Sequence, residues 1–252
     1  MLLTSALVMG LMPLGTRVGI RRSYPVRMCR PQAVSEKAWR ATLQDLNAAP
    51  VFAIATSSGN FLQHERGGLE PLVLFFADID VALLELQSVR GKSPELDLQL
   101  MPVGLGNAYD QTQQGRSLIV PCAKEVGVAQ GMQEVAPPEA SAMLAGAGIE
   151  TPVIEWNRDE LPIFGCFRMT RRRRDGSRFT PLFMASAEAQ KSFHTAVTSA
   201  QGTPREAEVA SFEIDCLPLA KVVELAASSE GGEVRVIPPA SSLLYLQGKY
   251  PT

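Results

Sequence analysis

The chain has 252 residues, 46% of them apolar and 20% charged, with a net charge of −2. This excludes a disordered polyampholyte, and the 20 Gly and 18 Pro, scattered without a period, exclude a collagen or low-complexity chain. No run reaches the ~18–20 apolar residues of a spanning helix, and a chain this long buries enough surface to fold without a disulfide scaffold. The charge is uneven. Residues 1–35 hold Arg17, Arg21, Arg22, Arg27 and Arg30 and no acid, which leaves the body at −7. An acidic body argues against nucleic acid as a partner, because that affinity rests on neutralised phosphates.

The first fifteen residues are apolar, and an Arg-rich, acid-free stretch follows to Arg30. Acid-poor basic leaders mark organelle transit peptides, and an apolar segment ahead of one fits a two-step address to a complex plastid. Residues 1–33 are therefore read as a removable leader. Ser35 caps a helix over 36–47 that Pro50 stops, and 51–56 form a strand. The apolar run 71–76 reads as a strand buried on both faces. Asp78 caps an amphipathic helix on which Ile79, Ala82, Leu83, Leu86 and Val89 share a face. A strand at 96–103, a short helix at 105–112 and a strand at 117–121 complete this half. Residues 134–150 are a connector with a short helix.

The pattern then restarts. Residues 161–169 are a strand, Arg171 to Arg178 a charged hairpin turned by Asp175-Gly176, and 179–185 a strand. Ser186 caps a helix bearing Phe193, Ala196 and Val197. A strand at 211–219, a helix to 227, a strand at 233–238 and a helix at 240–247 follow. Pro50-Val51-Phe52 matches Pro162-Ile163-Phe164, Pro71-Leu72 with Ala77 matches Pro181-Leu182 with Ala187, and Met101-Pro102 matches Leu217-Pro218. Ile119-Val120-Pro121 matches Val236-Ile237-Pro238, each followed by a helix. The expected fold is α/β: two pseudo-repeat modules over 34–133 and 151–252, each a small sheet covered by helices. The two sheets are expected to join edge to edge or pack as one layer.

The usual catalytic patterns are missing. There is no H-E-x-x-H, G-x-S-x-G or Walker A, and His64 and His194 lack partners at metal-ligand spacing. Gly104-Leu105-Gly106 lacks the third glycine of a dinucleotide loop and reads as a turn. No catalytic, cofactor or metal residue is assigned. Two features suit binding. One is the basic set Arg171, Arg172, Arg173, Arg174 and Arg178, a solvated hairpin tip or a contact for acidic lipid headgroups or an acidic partner. The other is the apolar helical faces, including Leu243, Leu244, Tyr245 and Leu246, which serve core packing or a groove for extended chains. Cys122, Cys166 and Cys216 form no C-x-x-C; Cys122 at a helix start is the one candidate for a redox enzyme.

The opening helix leading into Pro50-Val51-Phe52, the Gly59 turn, Pro71 to Phe76 with its acidic helix cap, and the Val103 strand end form one set of signposts. Pro162-Ile163-Phe164, the basic Gly176 hairpin and Pro181-Leu182-Phe183-Met184 form a second. Together, over about 36–247, they resemble the Tic-twenty-two family, the intermembrane-space component of the chloroplast import machinery with cyanobacterial relatives. The resemblance implies a two-repeat α/β fold without cofactor. It implies a non-enzymatic import factor or chaperone for unfolded precursor polypeptides, located between the plastid envelope membranes. Translocon subunits of both envelope membranes would be its partners, with at most peripheral membrane contact and no nucleic acid. The alternatives are a redox-active cysteine enzyme and a membrane-surface structural protein docked through Arg171–Arg174.

Overall fold

Apolar runs bounded by turn residues form two five-stranded sheets in the computed structural model, which describes residues 34–65, 70–134, 160–166, 169–199, 214–228 and 233–249. The leader, and the helix expected between 135 and 148, lie outside the described residues. Helix α1 (Glu36–Leu46) starts on Ser35, whose Oγ accepts from the Ala38 N–H. Strands β1 (Pro50–Thr56), β2 (Gln63–His64) and β3 (Leu72–Phe76) precede α2 (Ile79–Lys92). The Asp78 carboxylate accepts from Asp80 and Val81 N–H and caps α2, as the sequence predicts. β4 (Leu98–Gly104), α3 (Leu105–Gln113), β5 (Ser117–Val120) and α4 (Ala123–Glu134) end the first half. β1 runs antiparallel between β3 and β4, while β5 lies parallel to β3.

The second half repeats this layout. It comprises β6 (Pro162–Gly165), β7 (Arg171–Arg172), β8 (Arg178–Phe183), α5 (Ser186–Ser199), β9 (Asp215–Pro218), α6 (Leu219–Ala227), β10 (Val234–Ile237) and α7 (Ala240–Leu246). β6 lies antiparallel to β8 and β9, and β10 parallel to β8. The hydrogen bonds match in place. Ala77 N–H donates to Val120 and Met184 N–H to Ile237, both at 3.0 Å. Leu105 N–H donates to Ala49 at 2.8 Å and Leu219 N–H to Leu161 at 2.9 Å.

These bonds fix the register and correct two of the sequence matches. Phe76 faces Phe52 as Phe183 faces Phe164, so Ala77 corresponds to Met184 and not to Ala187. Phe75-Phe76 therefore correspond to Leu182-Phe183. Pro50 faces Gly104 as Pro162 faces Pro218, so the counterpart of Pro218 is Gly104 and not Pro102. The matches of Pro50 with Pro162 and of Val120 with Ile237 hold.

The sheets do not join edge to edge. Their inner faces contribute to one core: Val51, Ala53, Phe75 and Ile119 from the first, Ile163, Leu182 and Val236 from the second, with α3 and α6 side chains. The outer faces are covered by an exchange. On the first sheet Phe52, Ile54 and Phe76 pack under α2, and Tyr245 of α7 meets Phe52 edge-on at 5.5 Å. On the second sheet Phe164 and Phe183 pack under Ala189 of α5 and under Val126 and Ala129 of α4. Among the described residues, each half thus lends its last helix to the other.

Three helices whose preceding residue has no capping side chain borrow one from a distant element. Gly104 precedes α3, and Asn47 at the end of α1 accepts from the Asn107 N–H at 2.9 Å. Ser186 is the first residue of α5 and not its cap, since the Ala189 N–H already bonds the Ala185 carbonyl. The Glu125 carboxylate on α4 takes the Ser186 N–H at 2.9 Å instead. Glu188 accepts from Ala240 at the start of α7. Close approach of α1 to α3 explains the Gly104-Leu105-Gly106 sequence, which is a strand–helix junction. A Cβ on Gly106 would stand 1.8 Å from the Leu43 carbonyl oxygen.

Gly106→Ala is expected to cost about 3 kcal/mol, because backbone and not a flexible side chain must yield. Gly127→Ala and Gly131→Ala on α4 meet open space and should gain roughly 0.5–1 kcal/mol each. Urea denaturation of the three variants checks both signs. Tyr109, buried against Trp39, has its phenol pushed up to about 12 by burial and then by Glu224 of the second half. The unfolded phenol ionises near 10, so stability is intact below pH 10 and falls as pH rises to 12. The loss is roughly 2–3 kcal/mol. It should be absent in Tyr109→Phe, compared by denaturant unfolding across that range.

Candidate functional site

The basic hairpin forms as its sequence requires. Arg173 N–H donates to Ser177 at 2.8 Å, and Gly176 takes φ +89°, a left-handed value that glycine alone adopts without cost. The Asp175 carboxylate accepts from the Ser177 Oγ–H and N–H, which holds it below its ordinary value. The five arginines then divide. Arg171 reaches the buried Ser192 on α5 at 2.7 Å. Arg173 forms a two-pronged ion pair with Glu233 and stacks 5.2 Å from the Phe179 ring centre, with Arg235 at 6.0 Å. Arg172, Arg174 and Arg178 stay exposed. Arg172 gives one 3.4 Å hydrogen bond to the Gly176 carbonyl.

The terminal helix divides in the same way. Tyr245 is held on Phe52 and Ser242 is fully buried, while Leu243, Leu244 and Leu246 are 38–46% exposed. Leu84 on α2, the helix that α7 packs against, is 67% exposed. Leu96 stands at the rim of an open cleft of about 440 Å³, lined by Arg90, Pro94, Glu95, Asp97 and Leu98. There the Arg90 guanidinium donates to the Leu98 carbonyl and closes the α2–β4 connection. Leu84, Leu243, Leu244 and Leu246 are the candidate apolar contacts, and the sequence signals those on α7 as an excess of apolar residues.

Among the described residues Cys122, Cys166 and Cys216 are free thiols. Cys122 stands at the start of α4, as expected, and its carbonyl accepts from Glu125 and Val126 N–H. Cys166 is buried on β6's end. The Cys216 thiol is pushed up to about 12, by burial first and then by the Glu125 carboxylate, so it carries no thiolate at neutral pH. His64 on β2 and His194 on α5 lie in different halves. Among the described residues no group of His, Cys, Asp and Glu could hold a metal ion. Nor is any described helix long and apolar enough to cross a membrane. Glu125 thus joins two effects that the sequence does not signal, a cap for α5 and a field on Cys216. Glu125→Gln should cost about 1 kcal/mol through the weakened cap. It should also move the alkylation pH profile of Cys216 to lower pH, read by mass spectrometry of the modified thiol.

No protein-family model and no curated protein matches the chain. Solved structures do. Tic22 from Anabaena, a protein of protein transport, superposes with a TM-score of 0.59 at 15% identity, over 85% of this chain and 98% of its own. Tic22 from Plasmodium falciparum superposes with a TM-score of 0.59 at 13% identity, over 81% of this chain and 95% of its own. At such identities the likeness speaks for the architecture, and its extent takes in both halves. The chain has the Tic22 fold.

Proposed function

We propose that this protein is a Tic22-type factor of protein import, acting without catalysis as a holder of unfolded precursor polypeptides. The observation that carries this reading is the shared architecture over nearly the whole length of Anabaena Tic22, a protein of protein transport. The acid-free arginine leader supports a plastid address, and the reading places the protein between the envelope membranes, beside translocon subunits. The working surface is apolar. Leu84, Leu243, Leu244 and Leu246 offer side chains that a passing polypeptide covers, which removes apolar area from water at about 25 cal/mol per Å². Tyr245, packed on Phe52, holds α7 in place from below.

The test has two arms. The full chain should suppress light scattering by a heat-unfolded model enzyme and crosslink to a precursor arriving at isolated plastids. Exchanging Leu243, Leu244 and Leu246 for Gln should abolish most of the suppression while shifting stability by less than about 0.5 kcal/mol per site, as exposed positions do. A parent chain that neither suppresses aggregation nor meets a precursor sinks the proposal. Variants as active as the parent relocate the surface.

A further inference from the structure

The β7–β8 hairpin holds positive charge that the fold does not use. Arg171 and Arg173 are committed to Ser192, Glu233 and Phe179 and tie the hairpin to the rest of the second half. Arg172 and Arg178 are direct cross-strand partners, and like charges so placed destabilise an antiparallel pair. Arg174 stands exposed at the adjoining turn. Among the described residues none of these three has an ion-pair partner. The other half shows that the scaffold does not require the pair. His64 facing Leu72 is the counterpart of Arg171 facing Phe179, so one step further on the equivalents of Arg172 and Arg178 are Glu65 and Pro71. The same position carries an acid in one half and two opposed cations in the other.

Charge selects the ligand. The three arginines project from a hairpin tip, and Phe179, the neighbouring aromatic, is already stacked by Arg173 and Arg235. An exposed cationic cluster on a body of net charge −7 is complementary to a layer of phosphates. We propose that Arg172, Arg174 and Arg178 dock the protein on the headgroups of an anionic membrane surface. The body's negative charge turns the molecule so that this tip faces the bilayer.

The experiment is flotation of the full chain with phosphatidylcholine vesicles, with and without phosphatidylglycerol. Each arginine at an anionic surface adds about fivefold to binding. Arg172→Gln, Arg174→Gln and Arg178→Gln together should therefore weaken binding on the order of a hundredfold, and added salt should weaken the parent in the same direction. The leader is identical in both chains and cancels. A photo-crosslinker at the exposed Thr170 should capture phosphatidylglycerol directly. Arg178→Gln alone should bind less while melting no lower than the parent, because it removes a like-charge pair. Absence of lipid capture at position 170, equal flotation of parent and triple variant, or preference for polyglutamate over anionic vesicles overturns the proposal.

Discussion

The whole arrangement depends on the exchange of α4 and α7. Each sheet has an outer face bearing two buried phenylalanines, Phe52 and Phe76 on one, Phe164 and Phe183 on the other. One helix of the same half covers part of each face, and the last helix of the opposite half supplies the rest. Uncovering a phenylalanine forfeits about 1.5–3 kcal/mol, a large fraction of the margin by which a domain is folded. Two halves built on the same plan are therefore one folding unit. The shared inner core, to which both sheets and helices α3 and α6 contribute, reinforces the coupling.

The borrowed helix caps follow the same logic at the scale of single hydrogen bonds. A glycine before α3 and an alanine before α5 leave N–H groups that their own sequence does not satisfy, and Asn47 and Glu125 supply the acceptors. The glycine in turn allows α1 to lie close enough for Asn47 to reach. Polar side chains are thus spent on holding helix ends, and two of the five hairpin arginines on Ser192 and Glu233. What remains unspent is two separate surfaces, a leucine patch on α2 and α7 and a cationic tip on the second half. In the roles we propose, chains meet the first and a bilayer the second, so the two do not compete for residues.

Much of the fold was legible in the sequence. The continuous run 71–76 and the 3.6 spacing of Ile79, Ala82 and Leu86 identify a buried strand and a one-sided helix without ambiguity, and the Asp78 cap sets where one becomes the other. The duplication was legible too, but proline proved an uneven guide. Pro121 and Pro238 close equivalent strands, whereas Pro71 lies before β3 and Pro181 lies within β8. Matching them slides the register by three residues. The two-residue strands β2 and β7 are too short for any periodicity. Sequence pattern shows which face of a helix is apolar and is silent on which half it covers, so the exchange and the caps from Asn47 and Glu125 were out of reach. The same gap separates the five hairpin arginines from the three without an ion-pair partner among the described residues, since Ser192 and Glu233 are distant in the chain.

The position of α7 sets a timetable. A polypeptide that emerges N-terminus first, from a ribosome or through a pore, delivers residues 50–56 long before residues 240–246. Until then the side of Phe52 that Tyr245 will shelter faces water, and the first sheet waits unfinished for nearly two hundred residues. The molecule that we propose as a shelter for unfinished chains is, on its own way to maturity, a client with an unusually long wait.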